Sequence, residues 1–303
     1  MKERTRVLIT GGTGLLAVSW AFYNNKNFSI TSLLHKRKIL LDGVKFISAQ
    51  INSPAKCIKL IEKFRPEIII HTAGLSNVEI CESNPISARH LNVEIAYNIA
   101  TACSKKGVRL VHISTDHLFS GKYPYSSETD LTKPLNNYAK SKFEGEEEVL
   151  RAYRDSLIVR TNFFGWGTDY RTSFSDLIIN SLRNNKDIGL FSDVFFTPIS
   201  IKELSKAVHE LLNKNISGVY NIVGSERLSK YDFGIQIAMC FNLDKHLIKK
   251  ININSQNLVI RPKDMSLSNE KLLKIIDYKI PDLSCQLIDL RDDELNFPTI
   301  GEI

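Results

Sequence analysis

Tyr138 and Lys142 stand four residues apart in NNYAKSKFEGEEE, downstream of Ser114-Thr115-Asp116 and of an N-terminal glycine turn, TGGTGLLA. At that spacing two side chains share one helix face, so the ammonium can lie beside the phenol oxygen. A phenol with a pKa of about 10 is a weak proton donor at neutral pH, and an adjacent cation stabilises its phenolate and lowers that value. Thr115, Tyr138 and Lys142 therefore read as a proton-transfer device set next to a dinucleotide site. Carbonyl reduction is the chemistry that needs both.

Such a device needs a rigid platform, and the first half of the chain supplies its pattern. Residues 6–10, 29–34, 45–49, 67–72, 109–114 and 156–160 are short, nearly all-apolar strand candidates. Between them lie stretches with helical periodicity, such as 54–64 and 88–106. Apolar strands separated by helices imply a parallel sheet covered on both faces. The expected fold is α/β, a doubly wound, Rossmann-like parallel sheet with its ligand site at the strand C-termini. After about residue 160 the pattern loosens, with helical stretches at 173–184, 201–212 and 231–241 and strand candidates at 218–223 and 251–253. This gives a dinucleotide-binding domain over 1–160. A smaller C-terminal α/β substrate-binding lobe over 161–303 would complete it, with some elements returning to the first domain.

Composition narrows the class. The chain has 303 residues, ample for a sizeable core, and no apolar run long enough to span a membrane. MKERTRVLITGG runs from charges straight into a strand, unlike a signal peptide, so a cytoplasmic protein is expected. Cys57, Cys81, Cys103, Cys240 and Cys285 are scattered and form no CxxC pair, and they read as reduced, mostly buried thiols. A net charge of +7 invites a nucleic-acid reading. The basic residues are interspersed with acids and few aromatics, so a solvated surface or attraction for a phosphate-bearing small molecule fits better. No spacing of His or carboxylates suits a bound metal. A homodimer is a possible assembly.

At the cofactor end, Gly11, Gly12 and Gly14 follow the first strand, with Thr13 inside the turn and Leu15 opening the next helix. Glycines here let the backbone turn sharply and let a pyrophosphate approach the helix N-terminus. Ala17 takes the third small-residue place of the motif. At the end of the second strand, where an NAD site usually has an acid, the chain reads His35-Lys36-Arg37-Lys38. Lys36 or Arg37 would suit a 2′-phosphate, favouring NADPH with NADH still possible; a solvated basic turn is the alternative.

Taken in order, the glycine turn, His71-Thr72-Ala73-Gly74, Ser114-Thr115-Asp116 and the Tyr138/Lys142 pair resemble an extended short-chain dehydrogenase/reductase. Pro134-Leu135-Asn136-Asn137-Tyr138, Val159-Arg160-Thr161-Asn162-Phe163, Phe196-Thr197-Pro198 and Arg261-Pro262 are similar to segments of its dTDP-4-dehydrorhamnose reductase branch. The resemblance implies that Thr115 hydrogen-bonds the substrate carbonyl, with Ser114 as a less favoured substitute. It implies that Tyr138 donates the proton, and that Lys142 lowers the Tyr138 pKa and holds the nicotinamide ribose. Ala73 and Gly74 would line the cofactor and Gln50 would lie near its adenine. Asp116, Asn162, Phe163 and Arg261 would meet a nucleotide-linked sugar, Asn162 and Arg261 at its diphosphate. A surface salt bridge for Arg261 and a core place for Phe163 remain the alternatives. His117 stands where the branch commonly has Tyr, and Gln50 and Asn52 stand where an acid is often found.

The implied activity is NADPH-dependent reduction of the 4-keto group of a nucleotide-linked deoxysugar. Two other activities stay open: a nucleotide-sugar epimerase of the same superfamily, and a non-catalytic regulatory subunit of a methionine adenosyltransferase.

Overall fold

The computed structural model describes residues 3–35 and 37–298. In chain order the nucleotide half runs β1 (Arg6–Thr10), α1 (Leu15–Asn24), β2 (Ser29–Leu34), β3 (Val44–Ser48), α2 (Pro54–Phe64) and β4 (Ile68–His71). It continues through α3 (Val78–Ser83), α4 (Pro85–Arg89), a π-helical turn (His90–Glu94), α5 (Ile95–Lys106), β5 (Arg109–Ile113), α6 (Asn137–Ala152) and β6 (Leu157–Arg160). The second half begins with β7 (Phe163–Phe164), α7 (Phe174–Arg183), β8 (Ile188–Phe191), β9 (Phe195–Phe196), β10 (Ile199–Ser200), α8 (Ile201–Asn213) and β11 (Gly218–Asn221). It ends with β12 (Leu228–Ser229), α9 (Lys230–Cys240), β13 (Ile248–Ile251), α10 (Glu270–Leu273) and α11 (Leu283–Asp293).

Among the described residues seven parallel strands form the central sheet, in the order β11-β6-β5-β4-β1-β2-β3. Alternation along each strand sends neighbours to opposite faces. Ile68 and Ile70 join Val7, Ile9 and Trp20 under α1 and α8, while Ile69 joins Leu8, Cys57 and Ile99 under α2 and α5. Burial on both sides explains why these strands read as continuous apolar runs; each such Ile or Leu contributes about 1.5–3 kcal/mol. A separate core built on Phe164, Phe196, Phe233 and Leu287 fills the second half. The sheet order reverses between β1 and β4, and the crevice beyond their C-terminal ends is where such a fold takes its ligand.

The second half and the long helix of the first differ in detail from the sequence expectation. The helix expected over 88–106 is continuous from α4 to α5 but carries a π turn at His90–Glu94, which contains the buried Asn92. The strand expected at 251–253 lies earlier, at Ile248–Ile251, where it pairs with β8; Ile253 opens a 3₁₀ turn instead. The strand expected at 218–223 is β11, which crosses back to pair with β6 at the edge of the main sheet, one of the returning elements expected from the second half. Cys57, Cys81 and Cys103 are buried, Cys240 is half-buried and Cys285 exposed, all as free thiols. No described helix is long and apolar enough to cross a membrane.

Candidate active site

A cavity of about 850 Å³ opens over the C-terminal ends of β1, β4, β5 and β6. Its lining brings together Gly11, Thr13, Gly14 and Leu15 from the glycine turn, Gln50, and Ala73 and Gly74 from the end of β4. Thr115 and Asp116 follow β5, Tyr138 and Lys142 come from α6, and Asn162, Phe163 and Arg261 come from the second half. Every candidate but three is therefore in one hollow. Gly12 faces away, donating its N–H to Leu33 O at 2.8 Å, and a Cβ there would lie 2.4 Å from Ser32 Oγ. Arg37 is outside the lining, its guanidinium 4.7 Å above the Tyr170 ring, and His35 reaches the cavity instead. Lys36 lies outside the described residues.

The cofactor end is built by backbone. Gly11 adopts φ +70°, and a Cβ on it would be 2.9 Å from Ala73 Cα, so the turn and β4 can approach only because glycine is there. Gly14 N donates to Gly11 O at 2.7 Å, and Gly14 caps α1 with no side-chain acceptor. No acid sits in the first turn of α1 either. The helix N-terminus thus presents amide donors and a positive dipole end to the cavity, a fit for a dinucleotide pyrophosphate. Thr10 Oγ1 binds the His71 ring at 2.7 Å and accepts from Ala73 N at 3.3 Å, tying β1 to β4 beneath this floor.

At the catalytic end, Asn136 caps α6 by accepting from Ala139 N at 2.9 Å and donates to Ile260 O at 2.9 Å. This fixes Tyr138 in the first turn of the helix, and Lys142 one turn further. The expected pairing of these two is not what tunes the phenol. The buried Lys142 Nζ donates to Ile113 O at 2.7 Å, anchoring to the end of β5. Burial pushes the Tyr138 phenol above its ordinary value, a hydrogen bond with Thr115 opposes this, and Asp116 and Cys81 add to the rise. Lys142 is not among the groups that shift the phenol here; loss of water around the phenolate is the largest cause. Burial likewise pulls Lys142 down to about 8, partly offset by Glu146.

Asp116 gathers the neighbouring polar groups. It accepts from Thr115 Oγ1 at 3.3 Å and from Asn162 Nδ2 at 2.5 Å, and His117 Nε2 lies 3.9 Å away. The His117 ring packs edge-on to Tyr138 with centroids 5.4 Å apart, narrowing the hollow beside the phenol. Arg261 lines the cavity, but its guanidinium also binds the Glu79 carboxylate. Phe163 is in the lining while Phe164, the next residue, is core.

Sequence reasoning missed Asn92 and Arg171. Asn92 accepts from Leu75 N at 2.7 Å and donates to Leu75 O at 3.0 Å and Ser141 Oγ at 2.9 Å, joining the β4 loop to α6. Gly145, inside α6, was the available signal: a Cβ there would sit 2.4 Å from Asn92 O. Arg171 comes from an irregular stretch with no periodicity to betray it.

These features define an extended short-chain dehydrogenase/reductase: a doubly wound parallel sheet, a glycine turn at its first strand end, and Thr, Tyr and Lys around one hollow. Residues 5–294 match the family described as RmlD substrate binding domain, and the chain belongs to it. Among curated relatives, methionine adenosyltransferase 2 subunit beta of Rattus norvegicus is 28% identical over 276 residues, 88% of this chain and 81% of its own. dTDP-4-dehydrorhamnose reductase of Aggregatibacter actinomycetemcomitans is 29% identical over 245 residues, covering 77% and 78%. The solved dTDP-4-dehydrorhamnose reductase of Bacillus anthracis, in complex with NADP, superposes with a TM-score of 0.85 at 25% identity, over 96% of this chain and 99% of that one.

Proposed function

We propose that this protein reduces the 4-keto group of a nucleotide-linked deoxysugar, with NADPH as the preferred cofactor. The observation that carries the reading is the placement of Thr115, Tyr138 and Lys142 in the same hollow as the glycine turn. A bound nicotinamide dinucleotide supplies the hydride. Thr115 and Tyr138 hydrogen-bond the carbonyl oxygen, and as that oxygen takes up negative charge Tyr138 gives it the phenolic proton, leaving a neutral alcohol. An alkoxide is far more basic than a phenolate, so a phenol raised by burial still donates downhill, and burial keeps it protonated beforehand. Lys142, held on Ile113 O, provides the positive field at the strand ends and a donor for a ribose hydroxyl. Asp116 orients Thr115 and Asn162.

In this reading residues 1–160 hold the cofactor and 161–303 the sugar. Asn162, Phe163 and Arg261 face the nucleotide sugar, and Gln50 lies towards the adenine. NADPH preference rests on the basic turn at 35–38, with NADH as a weaker donor. A cytoplasmic setting and a homodimer belong to the same proposal. The test is oxidation of NADPH by purified protein with dTDP-4-keto-6-deoxyhexose: turnover supports the reading, and no consumption with any 4-keto nucleotide sugar sinks it.

A second reading, a regulatory subunit of a methionine adenosyltransferase, is favoured by the 28% identity to such subunits over 88% of this chain. Co-elution with a methionine adenosyltransferase catalytic chain, together with a change in that chain's kinetics, would support it.

A further inference from the structure

The stretch 165–173 reaches from the second half to the glycine turn, and its shape is fixed from within. The buried Asp176 carboxylate, in the first turn of α7, accepts from Gly167 N at 2.7 Å and Ser173 N at 2.8 Å. Thr168 and Arg171 exchange backbone hydrogen bonds, each 3.0 Å. A Cβ on Gly167 would fall 2.3 Å from Asp176 Oδ2 and 2.4 Å from Arg171 O, so the turn closes only on glycine. At the tip, Tyr170 donates its hydroxyl to Thr13 O at 3.1 Å, bonding this stretch directly to the glycine turn.

That tether sets Arg171 in the lining of the cavity that also contains Gly11, Thr13 and Gly14. Its guanidinium donates to Ser76 Oγ at 3.0 Å, spanning from the lobe to the loop after β4. Among the described residues no carboxylate pairs with Arg171, whereas Arg261, on the same cavity, is paired with Glu79. A guanidinium fork partnered among the described residues by a neutral hydroxyl, in the cavity that also holds uncapped helix amides, is arranged for a bidentate anion.

We propose that Arg171 grips the diphosphate of the bound dinucleotide from the side opposite the α1 N-terminus. The 167–173 turn is then a preformed clamp that closes the cofactor in. The inference rests on the dinucleotide reading of the cavity and adds a residue, from the other half of the chain, that holds the cofactor.

The experiment is calorimetric titration of wild type, Arg171→Gln, Arg171→Lys and Tyr170→Phe with NADPH, NADH, 2′-AMP and dTDP. Loss of a charge-assisted contact predicts dissociation constants about ten- to a hundredfold weaker for NADPH and NADH alike in Arg171→Gln. Binding of 2′-AMP, which has no diphosphate, and of dTDP should not change. Arg171→Lys should recover part of the loss, and Tyr170→Phe should cost about two- to tenfold by releasing the tether. A loss confined to NADPH would assign Arg171 to the 2′-phosphate, and one confined to dTDP would assign it to the substrate; either overturns the proposal. Unchanged dinucleotide binding in both Arg171 variants leaves it a tether to Ser76 and overturns it as well. Wild-type protein that takes up neither dinucleotide would instead remove the functional reading beneath it.

Discussion

Lys142 is the cavity-lining residue whose protonation the pH of the medium can reach. Burial holds it down to about 8, so it is charged below that pH and neutral above it. Retaining the charge in that dry place costs roughly 3 kcal/mol relative to water. Burial, with the cation's field adding to it, pulls His71 down to about 3 and keeps it uncharged beneath the floor. The expected outcome is a kcat/KM profile whose basic limb bends near pH 8, well below an ordinary lysine. Lys230, above the Phe196 ring with its ammonium 3.3 Å from the centroid, is also pulled to about 8, so the limb should survive in Lys230→Met. A profile flat to pH 10, or a limb lost in Lys230→Met, would take the assignment from Lys142. The residues that meet in the cavity were legible because their types and spacing carry chemistry: Gly11, Gly14, Thr115, Tyr138 and Lys142 all line it. The tuning was not, because the i, i+4 spacing puts two groups on one face without saying which carbonyl the longer one will reach.

At the scale of elements, α6 is the part on which the site depends. Its outer end is fixed by the buried pair of Arg160 on β6 and Glu146, with Nη2 2.7 Å from Oε2. Removing one partner strands the other: Glu146→Leu should destabilise by about 3–5 kcal/mol, and adding Arg160→Met should restore much of that. Urea unfolding of the two variants checks this, and equal losses would show that the pair is not coupled. The closeness of α6 to the π turn depends on Gly145, so Gly145→Ala should cost about 1–3 kcal/mol. The same change should lower kcat more than cofactor affinity, since it moves Tyr138 and Lys142 together. Thermal unfolding alongside steady-state kinetics would read both effects. In the sequence this region looked like one long helix, since apolar periodicity persists through a π turn. The local signals were the N-cap Asn84 with Pro85, and a glycine in a helix otherwise rich in strong helix formers.

At the scale of the molecule, the parallel sheet was foreseeable from its apolar runs, six of whose seven strands were read in the first half of the chain. The return of β11 to the sheet edge was only half-visible: GVYN is short and half-buried, and nothing local says which strand it will join. The two-residue pairings β7–β10 and β9–β12, which shape the second half, are too short for any periodicity. On the proposed reading the cavity takes a nicotinamide dinucleotide, and cofactor should therefore stabilise the fold by mass action. NADPH at a hundred times its dissociation constant should add about 2.7 kcal/mol, seen as a rise of several degrees in the melting temperature, with NADH adding less at equal concentration. Equal shifts would withdraw the NADPH preference. The most direct test of the whole account follows the hydrogen itself, using NADPH deuterated at its transferable position, a dTDP-4-keto-6-deoxyhexose, and mass analysis of the sugar. Wild-type protein should place one deuterium on the former carbonyl carbon, and Tyr138→Phe should do so about a hundred- to ten-thousandfold more slowly while still binding NADPH. No label in the sugar, or label arriving equally fast without the Tyr138 hydroxyl, would contradict the account.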